Sequence, residues 1–206
     1  MNLFDQIVLL LTGLVAIYAI WRIGSRYRKE KNLYDVYYLL GFVVLLVSGL
    51  LLIFLGYGIL ASPYILTVAS LIPLGLSMGL MNQFMPRWKK IYSWFALIGI
   101  LAIASTSLTG SPLKKVFVPL FHGVAGLIIF LVPIKASIDG KAAKGFWWVG
   151  VGGVLIGLGG IALAFLSAGT QLLFFSQDFV LTILAPLLLL MTLAFTWGFT
   201  KDVQAS

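Results

Sequence analysis

Seven long apolar stretches, separated by short polar or basic segments, organise the 206-residue chain. They cover residues 3–23, 37–60, 64–84, 91–108, 116–134, 146–166 and 179–199. A hydrocarbon core about 30 Å thick is crossed by roughly 20 helical residues, so each stretch is long enough to span a bilayer. The runs are continuous, with none of the two-residue alternation of a transmembrane barrel strand. The pattern therefore predicts an all-α, polytopic bundle of seven transmembrane helices forming a single transmembrane domain over residues 1–206.

Faint self-similarity links the second and third stretches to the sixth and seventh. Tyr64-Ile65-Leu66-Thr67 followed by Pro73-Leu74 resembles Phe179-Val180-Leu181-Thr182 followed by Pro186-Leu187. The preceding spans each open on an aromatic residue and a glycine, Tyr38 with Gly41 and Trp148 with Gly150, while Gly13 and Gly123 lie at comparable depths in the first and fifth. These matches predict two parallel halves, residues 1–84 and 114–200, joined by a lone crossing at 91–109. The layout resembles that of the sugar-conducting SWEET proteins and the microbial rhodopsins in its seven helices and outside N-terminus. The likeness is one of topology and would imply a small-molecule path between the halves. No Pro-Gln pair marks the first or fifth span, and Lys201 lies beyond the seventh, where it cannot form a retinal Schiff base.

Composition agrees with the pattern. Hydrophobic residues make up 61% of the chain and charged residues 10%, and a mean hydropathy of +1.09 leaves too little polar surface for a water-soluble globule. Twelve of the fourteen Lys and Arg fall on alternate loops, from Arg22, Arg26, Arg28, Lys29 and Lys31 at the first to Lys201 at the last, with Lys114 and Lys115 the exceptions. Basic loops face the cytoplasm, so the N-terminus is expected outside and the C-terminus inside, in a multi-pass protein of the cell or plasma membrane. The first span is expected to be retained, because its positive charge follows the apolar run where a secretion signal would have it before. Orientation and contact with anionic lipid account for the net charge of +8 without nucleic acid. The dense cluster from Arg26 to Lys31 also offers a docking surface for an acidic partner. Cysteine is absent, which removes disulfide and thiolate chemistry.

Small residues four apart allow close helix packing in lipid. Gly153 and Gly157, continued by Gly160, Ala164 and Ala168, form one such stripe, and Gly75 with Gly79 forms another. Pro73 and Pro186 each remove a helical hydrogen bond near mid-span. The polar side chains within the spans favour the outer half: Thr12, Thr67, Ser70, Ser105, Thr106, Ser107, His122 and Thr182, rimmed by Asp5, Gln6, Gln171, Gln177 and Asp178. Converging, they would form an outward-facing vestibule closed below by apolar packing. Otherwise each hydroxyl bonds back to its own helix. His122, about two turns inside the fifth span, is the leading candidate for a ligand contact, a pigment-metal ligand or a pH-responsive group. Asp35 reads as a helix-end anion or a partner of the basic loop.

No catalytic dyad, acidic metal cluster or pair of axial histidines is present in the sequence. The expectation is a non-catalytic protein, with no cofactor or bound metal, that binds, senses or passes a small neutral or amphipathic molecule. His122, Thr12, Ser105, Thr106, Ser107 and Thr182 are the expected ligand contacts. The alternative is an accessory or assembly subunit of a larger membrane complex, one that could include pigments.

Overall fold

The computed structural model describes residues 1–167 and 176–201, with residues 161–167 and Gln177 described in backbone only. Gln171 and Ala168, named above, lie outside the described residues, as do the side chains of Ala164 and Gln177. Among the described residues eight α-helices follow in order: α1 (Leu3–Glu30), α2 (Leu33–Leu55), α3 (Pro63–Ala69), α4 (Leu71–Phe84), α5 (Lys89–Leu108), α6 (Lys114–Ile138), α7 (Trp148–Ser167) and α8 (Gln177–Lys201). Six helical segments of the described residues are long and apolar enough to cross a membrane, α3 and α4 counting together as Pro63–Phe84. In α7 the apolar stretch with described side chains is Trp148–Gly160, and its backbone continues helical to Ser167. Large apolar side chains such as Phe54, Ile91, Leu101 and Leu127 point outward on several helices. That is the surface of a protein solvated by lipid.

Helix ends follow local chemistry. Asn2 caps α1 by accepting a hydrogen bond from the Asp5 amide, and the Asp5 carboxylate accepts one from the Asn2 amide in return. The rim carboxylate expected to serve a vestibule is thereby committed to a cap. The second span was expected to reach residue 60, but α2 stops at Leu55. Gly56 there takes a φ of 71°, a conformation that side chains with a Cβ resist, and a 3-10 turn, Tyr57–Ala61, follows. The third span is broken at Ser70, between α3 and α4. Pro73 lacks the amide hydrogen that would bond to the Ala69 carbonyl, so the helix gives way where that bond is missing. Pro186 lies within α8, which remains helical on both sides of it.

Six spans close into a ring in which neighbours pack in the order α1, α2, α4, α6, α7, α8 and back to α1, while α5 lies outside against α3, α4 and α6. The packing pairs around the ring match up: α1 with α2 corresponds to α6 with α7, α2 with α4 to α7 with α8, and, between the two sets, α1 with α8 to α6 with α4.

Glycines set how closely the ring packs. A Cβ on Gly79 would lie within van der Waals overlap of the Tyr38 ring, and one on Gly153 would lie 2.8 Å from the backbone of Ile129 and Phe130. Gly153 and Gly79 therefore serve close approach inside the bundle. Gly157 faces open space on its Cβ side.

The basic end of the ring, where α1 and α8 finish and α2 begins, is the tightly fastened one. Tyr38, Phe42, Phe146, Phe195 and Phe199 are fully buried there, with Tyr38 and Phe199 ring centroids 4.3 Å apart. Arg26 and Asp35, both buried, form an ion pair, with Arg26 Nε donating to Asp35 Oδ1 at 2.9 Å. The same guanidinium donates from Nη1 to the Phe199 carbonyl, tying α1 and α2 to α8. Tyr38 donates to Gln83 Oε1 at 2.7 Å, and the Ser77 and Tyr92 hydroxyls bond at 2.7 Å, linking α2 to α4 and α4 to α5. Asp35 is thus a partner of the basic loop, as its position implied. Arg26 is withdrawn from the exposed cluster offered for docking.

Candidate functional site

Toward the opposite end the ring is not filled. A cavity of about 160 Å³ lies at its centre, lined by residues of α1, α2, α3, α4, α6, α7 and α8 and by the 3-10 turn. Among the described residues its walls are mostly Leu, Ile and Gly, and its polar side chains are those of Thr12, Ser48 and His122. An apolar chamber with a few converging polar groups is the ordinary form of a small-molecule site.

Thr12 sits roughly 13 Å along α1 and His122 roughly 12 Å along α6, at 1.5 Å rise per residue, and both line the cavity. Thr12 Oγ1 donates to the Val8 carbonyl at 2.8 Å. His122 Nδ1 donates to the Val118 carbonyl at 3.2 Å. A carbonyl can only accept, so this bond places the imidazole proton on Nδ1 and leaves Nε2 as an acceptor in the neutral ring. Among the described residues no partner takes Nε2. With its own proton used, Thr12 also presents acceptor lone pairs. Two of the three polar groups therefore ask a ligand for a donor.

Lining positions recur in pairs. Thr12 and His122 each precede a glycine, Gly13 and Gly123, and each bonds to a valine carbonyl one turn back. Leu45 and Gly49 of α2 line the cavity, as do Leu155 and Gly159 of α7, at the same four-residue spacing.

The other expected contacts lie elsewhere. Thr182 is exposed, and its hydroxyl donates to the Asp178 carbonyl of its own helix. Ser105 is exposed on α5, while Thr106 and Ser107 are buried, Thr106 donating to the Ala102 carbonyl and Ser107 Oγ left without a hydrogen bond. None of these four lines the cavity. For the three on α5 the reason is the place of that helix, which packs outside the ring, whereas Thr182 is on the ring helix α8 with its side chain turned outward. Thr67 and Ser70 likewise bond back to α3 carbonyls.

Ser48 was missed by the sequence reading. Its signal was modest: a lone hydroxyl beside Gly49 in an otherwise aliphatic and aromatic span.

The chain matches no protein-family model, no curated protein and no solved structure.

Proposed function

We propose that this protein is a non-catalytic membrane bundle that binds, senses or passes a small amphipathic molecule through the central cavity. The observation that carries the reading is the convergence of Thr12, Ser48 and His122 on one largely apolar chamber. A volume of about 160 Å³ matches a ligand of roughly six to eight non-hydrogen atoms, since cavities near this size hold a benzene-sized guest. The acceptor character of Thr12 and His122 favours a ligand carrying a hydroxyl or N–H donor on an apolar body.

The proposal extends to an internal repeat of α1–α2–α4 and α6–α7–α8, with α5 as the linking span. The paired packing around the ring and the paired lining positions support it, because two copies related by an axis through the ring would place equivalent residues on both sides of a central chamber. The distribution of basic residues favours an outside N-terminus, and with it a chamber in the outer half.

The test compares phenol with toluene, probes of similar size that differ in the donor, by their shift of thermal unfolding in the full-length protein. Phenol is expected to bind about tenfold more tightly, the equivalent of one hydrogen bond, and to lose that advantage in His122→Ala. Gly49→Leu, whose side chain enters open space at the cavity wall, should abolish binding of both. Equal affinity for the two probes in the wild-type protein would sink the polar assignment. Native mass spectrometry of protein extracted from its own membrane would identify the physiological occupant, and stoichiometric protein partners without a small molecule would instead favour an assembly subunit.

A further inference from the structure

A second opening, of about 510 Å³, lies between α1 and α8 at the basic end, apart from the central cavity. Arg22 and Lys201 border it, together with the hydroxyl residues Thr196 and Thr200. Among the described residues neither cation has an acidic partner. The Lys201 ammonium instead stands 4.1 Å from the centre of the Trp197 ring, and Arg22 Nε is buried without a hydrogen bond.

Thr196 is 6% exposed, and its hydroxyl also lacks a partner. Its neighbours on the same helix, Thr192 and Thr200, both donate to carbonyls one turn back. A buried threonine that forgoes that bond in a membrane helix leaves a donor to be satisfied from outside the fold. Two unpaired cations and a vacant donor in one opening call for an anion with several acceptor oxygens.

The rest of the groove distinguishes a lipid from a free ion. Leu14 and Leu193 line it and are 56% and 44% exposed, and the rings of Tyr18 and Trp197 flank it at the surface. These are faces turned to hydrocarbon and its interface. Depth agrees: from Leu3, roughly 20 helical residues cross the hydrocarbon core and end at Arg22. The cations thus sit at headgroup level, with an apolar track running back into the bilayer.

We infer that this groove binds an anionic glycerophospholipid, its phosphate held by Arg22, Lys201 and the Thr196 hydroxyl, and an acyl chain lying along Leu14 and Leu193. The inference does not depend on the occupant of the central cavity.

The full-length protein, placed in nanodiscs of phosphatidylcholine with graded phosphatidylglycerol and released into native mass spectrometry, reports which lipid stays bound. Phosphatidylglycerol should be retained in preference, with the preference falling about fivefold for each of Arg22→Gln and Lys201→Gln, as about one kcal/mol per basic residue implies. Thr196→Val should weaken it further, whereas Lys201→Arg, which keeps the charge, and Arg28→Gln, at an exposed position in the last turn of α1, should leave it unchanged. Equal retention of the two lipids overturns the proposal, as does an Arg28→Gln loss matching that of Arg22→Gln. Displacement of the lipid by millimolar inorganic phosphate would assign the site to a free anion and overturn the lipid as its occupant.

Discussion

Thr12 and His122 stand on two different helices of the ring, face one cavity, and each anchors its side chain to a valine carbonyl one turn earlier. The anchoring fixes what each offers to the chamber. Thr12 gives lone pairs, and His122 gives Nε2. If one ligand donor is shared between them, Thr12→Val and His122→Ala should not add. A double-mutant cycle on phenol affinity is expected to show a coupling of about 0.5–3 kcal/mol. Additive losses would mean that the two residues meet separate ligands or none.

The Arg26–Asp35 pair makes a different prediction, about stability. Asp35→Ala removes the carboxylate that accepts from the buried Arg26 guanidinium and should destabilise the bundle by about 3–5 kcal/mol. The loss should appear as a lower unfolding temperature in detergent. Because Arg26 also holds the Phe199 carbonyl, Arg26→Met should loosen α8 at the basic end, seen as faster amide exchange in its last turns. Phenol binding at the far cavity should survive in any variant that remains folded.

Gly153 and Gly157 form a GxxxG pair, yet they should respond unequally. A Cβ at Gly153 meets backbone atoms of α6, which cannot swing aside as a side-chain tip can. Gly153→Ala is expected to cost about 1–3 kcal/mol. Gly157→Ala, with open space at its Cβ, should cost far less in the same thermal assay. Equal effects would show that the pair acts as a unit, against the asymmetry of the packing.

Tyr57, in the turn after α2, has its phenol pushed up to about 12, by burial first and by the charge of Asp5 second. Raising the folded-state value above 10.0 means the folded protein resists ionisation. The stabilisation is present below pH 10 and is lost as pH rises toward 12. Tyrosinate absorbance, taken as the difference between wild type and Tyr57→Phe, should show this late titration. Asp5→Asn should bring it only part of the way back, since burial remains.

The sequence by itself determined the membrane-spanning helices. Spans of about 20 apolar residues leave few alternatives once backbone groups must bond within the segment. It also determined that Asp35 would lie beside the basic loop, because nine residues and one tight turn separate it from Arg26. His122 was legible as a polar group about two turns inside a span, too deep to be casually exposed, and Thr12 as one of several hydroxyls in the outer half. Ser105, Thr106, Ser107 and Thr182 carried the same signal and do not line the cavity, since depth along a helix says nothing about which way a side chain faces. The hydrophobic pattern is weak as a guide to facing when lipid and core are equally apolar. Only the tertiary structure decided which helices close the ring, that α5 stands outside it, and that the basic half is filled by aromatic rings while the opposite half encloses a cavity. Those choices rest on where glycines permit close approach and where large rings fill the space, and both depend on partners far away in the chain.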